Sequence, residues 1–107
     1  MTDDGRLIPL PDYLTHWVAT QRWFADKGRV PRLVSIGSWR LPSDEAEADI
    51  RTELVFDEAA PTRTLYQLPL VRRTTPLPGG EQALISTRED GSAVYDGTAD
   101  PAYGRAL

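Results

Sequence analysis

One stretch of this chain has the spacing of a long amphipathic helix, and most of the residues C-terminal to it alternate or turn. Leu14, Trp17, Val18, Gln21, Phe24 and Ala25 fall at i, i+3, i+4, i+7, i+10 and i+11, and all but Gln21 are apolar. Such a stripe turns one face of a helix towards a core. Pro11 suits the first helical position, where its missing N–H costs nothing. Asp12 adds a negative charge to the first turn, as the helix dipole prefers. Gly28 reads as a C-terminal stop, and Pro31 prevents continuation. The pattern predicts a helix over about residues 11–26, after a short lead-in over residues 1–10.

Beyond Pro31 the pattern is that of strands. Leu33, Val34, Ile36, Trp39 and Leu41 mark a first strand over 32–41, ending at Pro42. Ile50, Thr52, Leu54 and Phe56 alternate with Arg51, Glu53 and Asp57, the half-buried period of two. A third strand over 63–72 contains Pro69, which lacks a ladder donor and predicts an edge or a bulge. Pro76-Leu77-Pro78-Gly79-Gly80 is a loop by composition. Gln82–Thr87 and Ser92–Asp96 flank Asp90-Gly91, a hairpin signal. Thr98 or Asp100 can cap a further helix with Pro101 in its first turn. That helix has barely begun at Leu107, so the chain reads as a fragment of a larger protein or a small homologue of part of one. At 107 residues it is a single domain. The class expected is α+β: one N-terminal helix on a curved antiparallel meander of about five strands, cystatin-like in shape, with the other sheet face free to be solvated.

Composition excludes several functions. The net charge of −4 argues against general affinity for nucleic acid or an anionic membrane. No apolar run approaches the ~20 residues of a membrane span. The absence of cysteine removes disulfides and thiolate metal sites and suits a cytoplasmic protein. A single histidine, His16, leaves most catalytic schemes without their usual base, so no catalytic, cofactor or metal residue is assigned. Asp44, Glu45, Glu47 and Asp49 lack the spacing and glycine of a calcium loop and read as a solvated acidic loop. No lysine or helix comes after Pro78-Gly79-Gly80 as a phosphate cradle requires. Arg72 and Arg73 with Arg51 or Arg63 form at most a small basic patch. Trp17, Trp23, Phe24 and Trp39 are chiefly core candidates. A helix turns 100° per residue, so Trp23 and Phe24 cannot both face the sheet. The outward one, beside Arg22, suits a protein contact.

Three segments carry a resemblance. Gln21-Arg22-Trp23-Phe24-Ala25-Asp26-Lys27-Gly28-Arg29 is similar to the RW-(Y/F)-A-x-K-x-R signature in the N-terminal cap domain of actinobacterial maltokinases, found also in related sugar kinases and trehalose synthase–maltokinase fusions. Tyr66-Gln67-Leu68-Pro69-Leu70-Val71 resembles the YQ-(V/L)-PL-V strand of that family. Val94-Tyr95-Asp96-Gly97-Thr98-Ala99-Asp100-Pro101 resembles its VYDA-x-x-DP segment, with Gly97 where alanine is expected. Order and spacing agree over about residues 10–107. The resemblance implies a partner: C-terminal kinase lobes in cis, or a kinase in trans. That kinase uses ATP and magnesium to convert maltose to maltose 1-phosphate for α-glucan (glycogen) synthesis. The catalytic loop, the magnesium-binding aspartate–asparagine pair and the ATP-cradling loop with its lysine lie beyond the cap in that family, and none is present here. The resemblance therefore carries over a structural role. Trp17, Arg22, Trp23, Phe24, Trp39, Tyr66 and Tyr95 are the candidates for the cap's core or its contact with the kinase lobe.

Two functions compete on this reading. One is a non-catalytic cap that braces or regulates the nucleotide-binding lobe of a sugar kinase. The alternative is a stand-alone carbohydrate- or protein-binding module, with Trp39 and Tyr66 stacking on a ligand. A small hydrolase is disfavoured by the single histidine and the lack of a legible acid pair.

Overall fold

The computed structural model describes residues 8–21, 23–24, 31–60 and 64–106. In chain order these form β1 (Ile8–Pro9), α1 (Asp12–Ala19), β2 (Leu33–Leu41), β3 (Ala48–Asp57), β4 (Leu65–Arg73), a single 3-10 turn (Glu81–Ala83), β5 (Leu84–Thr87), β6 (Ala93–Asp96) and α2 (Pro101–Ala106). The strands make one antiparallel sheet in the order β1-β2-β3-β4-β6-β5, curled into a half-barrel. The α+β class and the curved sheet match the expectation.

The helix is shorter than its apolar stripe. Pro11 caps it, its carbonyl accepting from the N–H groups of Leu14 and Thr15. It ends at Ala19 rather than near residue 26. The reason is local competition for the Trp17 carbonyl, which accepts from Thr20 N–H at 3.0 Å, Thr20 Oγ1 at 2.7 Å and Gln21 Nε2 at 3.2 Å. A hydroxyl and an amide thus take over a carbonyl that the next helical turn would have used. The Phe24 N–H then bonds to the Gln21 carbonyl, and this turn brings Phe24 into the core. Gly28, expected as the stop, lies outside the described residues, as does Arg22.

Strand order departs from a simple meander. The residue 74–83 connection carries the chain past one strand position, so β5 forms the edge. The Asp90-Gly91 turn, with Gly91 at φ 87°, then brings β6 back between β4 and β5. A sixth strand, β1, comes from the lead-in and pairs Ile8 with Ser35 and Pro9 with Val34. β4 is interior and runs without a bulge against β3, with Pro69 opposite Thr52. Pro69 is tolerated because the β4–β6 ladder covers Leu70–Arg73, so the absent N–H falls just past its end. The Pro69 carbonyl there accepts from Gly97 N–H at 2.8 Å. The bulge lies instead in β2, between Ser35 and Gly37.

Both sheet faces are packed. Leu10, Leu14, Val18 and Phe24 close over Leu33, Val55, Leu68, Leu70 and Val94 on one face. On the other, Ala102 and Tyr103 of α2 cover Ala48, Ile50 and Val71. The face expected to be solvated is therefore occupied at this end. α2 is held by charge. The Arg73 guanidinium makes two bonds to Asp100, Nε–Oδ2 at 2.9 Å and Nη2–Oδ1 at 2.8 Å. It also bonds Glu45 at 2.8 Å. Asp100 Oδ1 caps α2 by accepting from Ala102 N–H at 2.9 Å, and the Asp100 side chain is 0% exposed.

Burial alone would raise the Asp100 pKa, but the hydrogen bonds from Arg73 and the Ala102 N–H outweigh it and hold the carboxyl below its ordinary value. A depressed carboxylate pKa stabilises the fold above the unfolded value of about 4 and loses that contribution as pH falls through the folded value. Asp100→Asn should therefore flatten the loss of stability below about pH 4 seen with the unaltered chain. Arg73→Ala, which strands Asp100, should cost about 3–5 kcal/mol in urea unfolding at neutral pH.

Candidate functional site

The aromatic residues divide into two groups on opposite faces. Trp17 and Trp23 meet edge to face, with centroids 6.1 Å apart and planes at 67°. Tyr66 lies 5.6 Å from both Trp23 and Phe24. Phe24 is buried, whereas Trp23 is 45% exposed and Trp17 is half-buried. Tyr95 is buried, and its hydroxyl accepts from Leu77 N–H at 2.7 Å, pinning the long loop after β4. Trp39 stands apart and is 51% exposed. Its indole lies against Gly37, where an added Cβ would come within 2.6 Å of Trp39 Cη2. Directly cross-strand residues share a face. Trp39 pairs with Thr52, and Thr52 with Pro69, so Trp39 and Tyr66 project from opposite sides of the sheet. The expectation that both stack on one ligand fails on this alternation.

Several of the charged residues are mutually engaged. Asp44 and Glu45 both bond Arg105, and Glu45 also holds Arg73, so this part of the acidic loop is a clasp rather than solvated surface. The Arg73 hydrogen bond is the main cause of a lowered Glu45 pKa. Asp49 accepts from Arg40 at 2.9 Å and Arg51 at 3.4 Å. Arg72 and Arg73 face opposite sides, which disperses the basic patch. Arg72 reaches Ser92 at 3.0 Å and Asp90 at 3.1 Å. Asp90 is lowered chiefly by its bonds from the Ser92 hydroxyl and N–H. His16 is exposed on α1, and Arg63 lies outside the described residues. Among the described residues no group of three histidines or carboxylates is arranged to hold a metal.

The sequence did not reveal a groove of about 310 Å³ between Leu10–Leu14 and the sheet. Asp49, Arg51, Glu53 and Arg72 line it together with Tyr13. The Tyr13 ring carries the Arg88 guanidinium 4.0 Å from its centroid. Glu53 accepts from the Ser35 hydroxyl at 2.8 Å and from that of Ser38. Two carboxylates and two guanidiniums balance in charge; the Ser35 hydroxyl donates to Glu53, and the lining holds no histidine, lysine or cysteine to complete a nucleophilic site. What remains for function is exposed aromatic surface.

Phe24 and Trp23 should separate in stability. Phe24→Ala empties a core position and should cost about 3–5 kcal/mol. Trp23→Ala, which loses ring contacts at the surface, should cost no more than about 1.5 kcal/mol. Chemical denaturation of the two variants checks this, and equal losses would contradict it.

The family model of the maltokinase N-terminal cap domain matches residues 17–100. The match runs from Trp17 on α1 through the whole β2–β6 sheet to Asp100, and α2 lies beyond it. No curated protein and no solved structure matches the chain. A match over most of the chain, covering every strand from β2 to β6, shows that the chain belongs to the maltokinase N-terminal cap domain family.

Proposed function

We propose that this domain is the non-catalytic cap of an ATP-dependent sugar kinase of the maltokinase type, which forms maltose 1-phosphate for α-glucan synthesis in the cytoplasm. The observation that carries the reading is the family match over residues 17–100. It is supported by a sequence that holds neither a kinase catalytic loop nor a phosphate-cradling loop with its lysine. ATP and magnesium belong, on this reading, to the partner lobes. The cap contributes rigidity. It is a curled sheet with a core on each face, and α2 is clasped to it by a buried ion pair. Such a body, packed on a nucleotide lobe, restricts how far that lobe opens and closes over ATP, and lobe motion often limits turnover.

The purified chain, given ATP, magnesium and maltose, should yield no sugar phosphate above background. Added to a maltokinase catalytic half lacking its own cap, it should change kcat or the KM for ATP. Phosphorylated maltose formed by the chain alone would refute the non-catalytic assignment, and unaltered kinetics would refute the bracing role.

A further inference from the structure

The two faces of the sheet differ sharply in charge. The face under α1 carries Arg40, Asp49, Arg51, Glu53, Arg72 and Asp96 by its cross-strand register. On the face under α2, Arg73 is the single charged side chain among the described strand residues, and it is consumed by Asp100 and Glu45. A sheet face meant for water alternates towards polar and charged residues. Here α2 is six residues long and covers one end. Beyond its reach the uncharged face continues through Trp39, Leu54, Gln67 and Leu65, with Trp39 51% and Leu65 55% exposed. Trp39 pairs with Thr52 and Leu65 with Phe56, so the two exposed side chains stand on the order of 13 Å apart along β3 and two strand spacings across, with half-buried Leu54 between them and buried Val34 and Phe56 closing the far end of the face. An exposed apolar patch of this kind marks an interaction site.

The position of α2 identifies the occupant. The cap family match stops at Asp100, and the first element after it, α2, lies on this face. The polypeptide C-terminal to the cap segment therefore starts beside the open patch, anchored there by Arg73 and Asp100. We propose that the Trp39–Leu54–Leu65 face docks the nucleotide lobe of the kinase, which receives the Trp39 indole in an apolar recess. This rests on the kinase-cap reading above. Gly37 gives the indole a flat platform, so its orientation is set before docking and little rotamer freedom is lost. Central, pre-oriented tryptophans are the usual anchors of such interfaces.

The test titrates this chain against a maltokinase catalytic half lacking its cap, by calorimetry. Trp39→Ser should raise Kd at least tenfold. Gly37→Ala, which keeps the indole but displaces it, should raise Kd several-fold. Trp23→Ser, on the other face, should change Kd less than twofold. Amide exchange at Leu54 and Gln67 should slow on binding. Tight binding by Trp39→Ser, or loss through Trp23→Ser, overturns the face assignment and leaves the kinase-cap reading standing. Absence of binding by the unaltered chain overturns both. Two further outcomes would give the face another occupant and overturn the proposal: concentration-dependent dimerisation abolished by Trp39→Ser, or a maltose-dependent change in tryptophan fluorescence lost in that variant.

Discussion

The bidentate pair between Arg73 and Asp100 governs the rest of the architecture because it is made where charge is least welcome. Moving two ions out of water costs several kcal/mol each, and this is offset only when geometry is good and the remaining donors and acceptors are satisfied. Both conditions hold here. Arg73 directs two further N–H donors to Glu45, and one Asp100 oxygen also accepts from the Ala102 N–H. One guanidinium thus joins the end of β4, the β2–β3 loop and the first turn of α2. A helix of six residues has no independent stability in water. Its presence on the sheet is a consequence of this pair and of the Ala102 and Tyr103 contacts.

Placing α2 on the second face changes what the alternation in β3 means. A period of two ordinarily separates core from solvent. In β3 it separates two cores, one under each helix, and the charged residues are compressed onto the α1 side beside the groove. Arg40 and Arg51 are directly opposite one another there, an unfavourable pairing by itself. Asp49 reaches both and converts the repulsion into a three-residue network. The β2 bulge at Ser35 and Gly37 serves the same division. The residue it adds shifts the face of everything after it, so that Trp39 and Leu41 join the uncharged side.

Much of this was legible in the sequence, where the signal was local. Alternation over 50–57 located β3, which begins two residues earlier at Ala48, Asp90-Gly91 located the hairpin, and Asp100, one of two candidates with Thr98, is the helix cap before Pro101. What escaped depended on partners distant in sequence. The order β4-β6-β5 depends on where a ten-residue connection lands, which composition does not encode. The acidic loop looked solvated because Arg73 and Arg105 are 28 and 60 residues from Glu45. Pro69 suggested an edge because its missing donor was read without knowing where the next ladder stops. Gly97, where the family resemblance led us to expect alanine, has a steric cause. A Cβ there would come within 2.9 Å of the Pro69 carbonyl carbon, so the β4–β6 junction closes more tightly than alanine allows.

Exposure alone does not distinguish Trp23 from Trp39, since the two are similarly open to solvent. Their supports do. Trp23 contacts Trp17 with its ring and Tyr66 beyond it, so its apolar area already contributes to the aromatic cluster above the first core. Removing it would expose the rings that it covers. Trp39 lies on a glycine, within a face whose single charge among the described strand residues is neutralised, next to the helix just past the cap segment. Its burial by a partner would desolvate mainly hydrocarbon, leaving the Trp39 indole N–H and the Gln67 amide as the polar groups for the partner to satisfy. The surrounding Thr52 hydroxyl is already engaged with the Tyr103 hydroxyl at 2.6 Å, so docking there strands no polar group at that position. The α1 side offers the opposite balance, because covering its groove would desolvate four charged side chains. Association driven by apolar area therefore favours the Trp39 side.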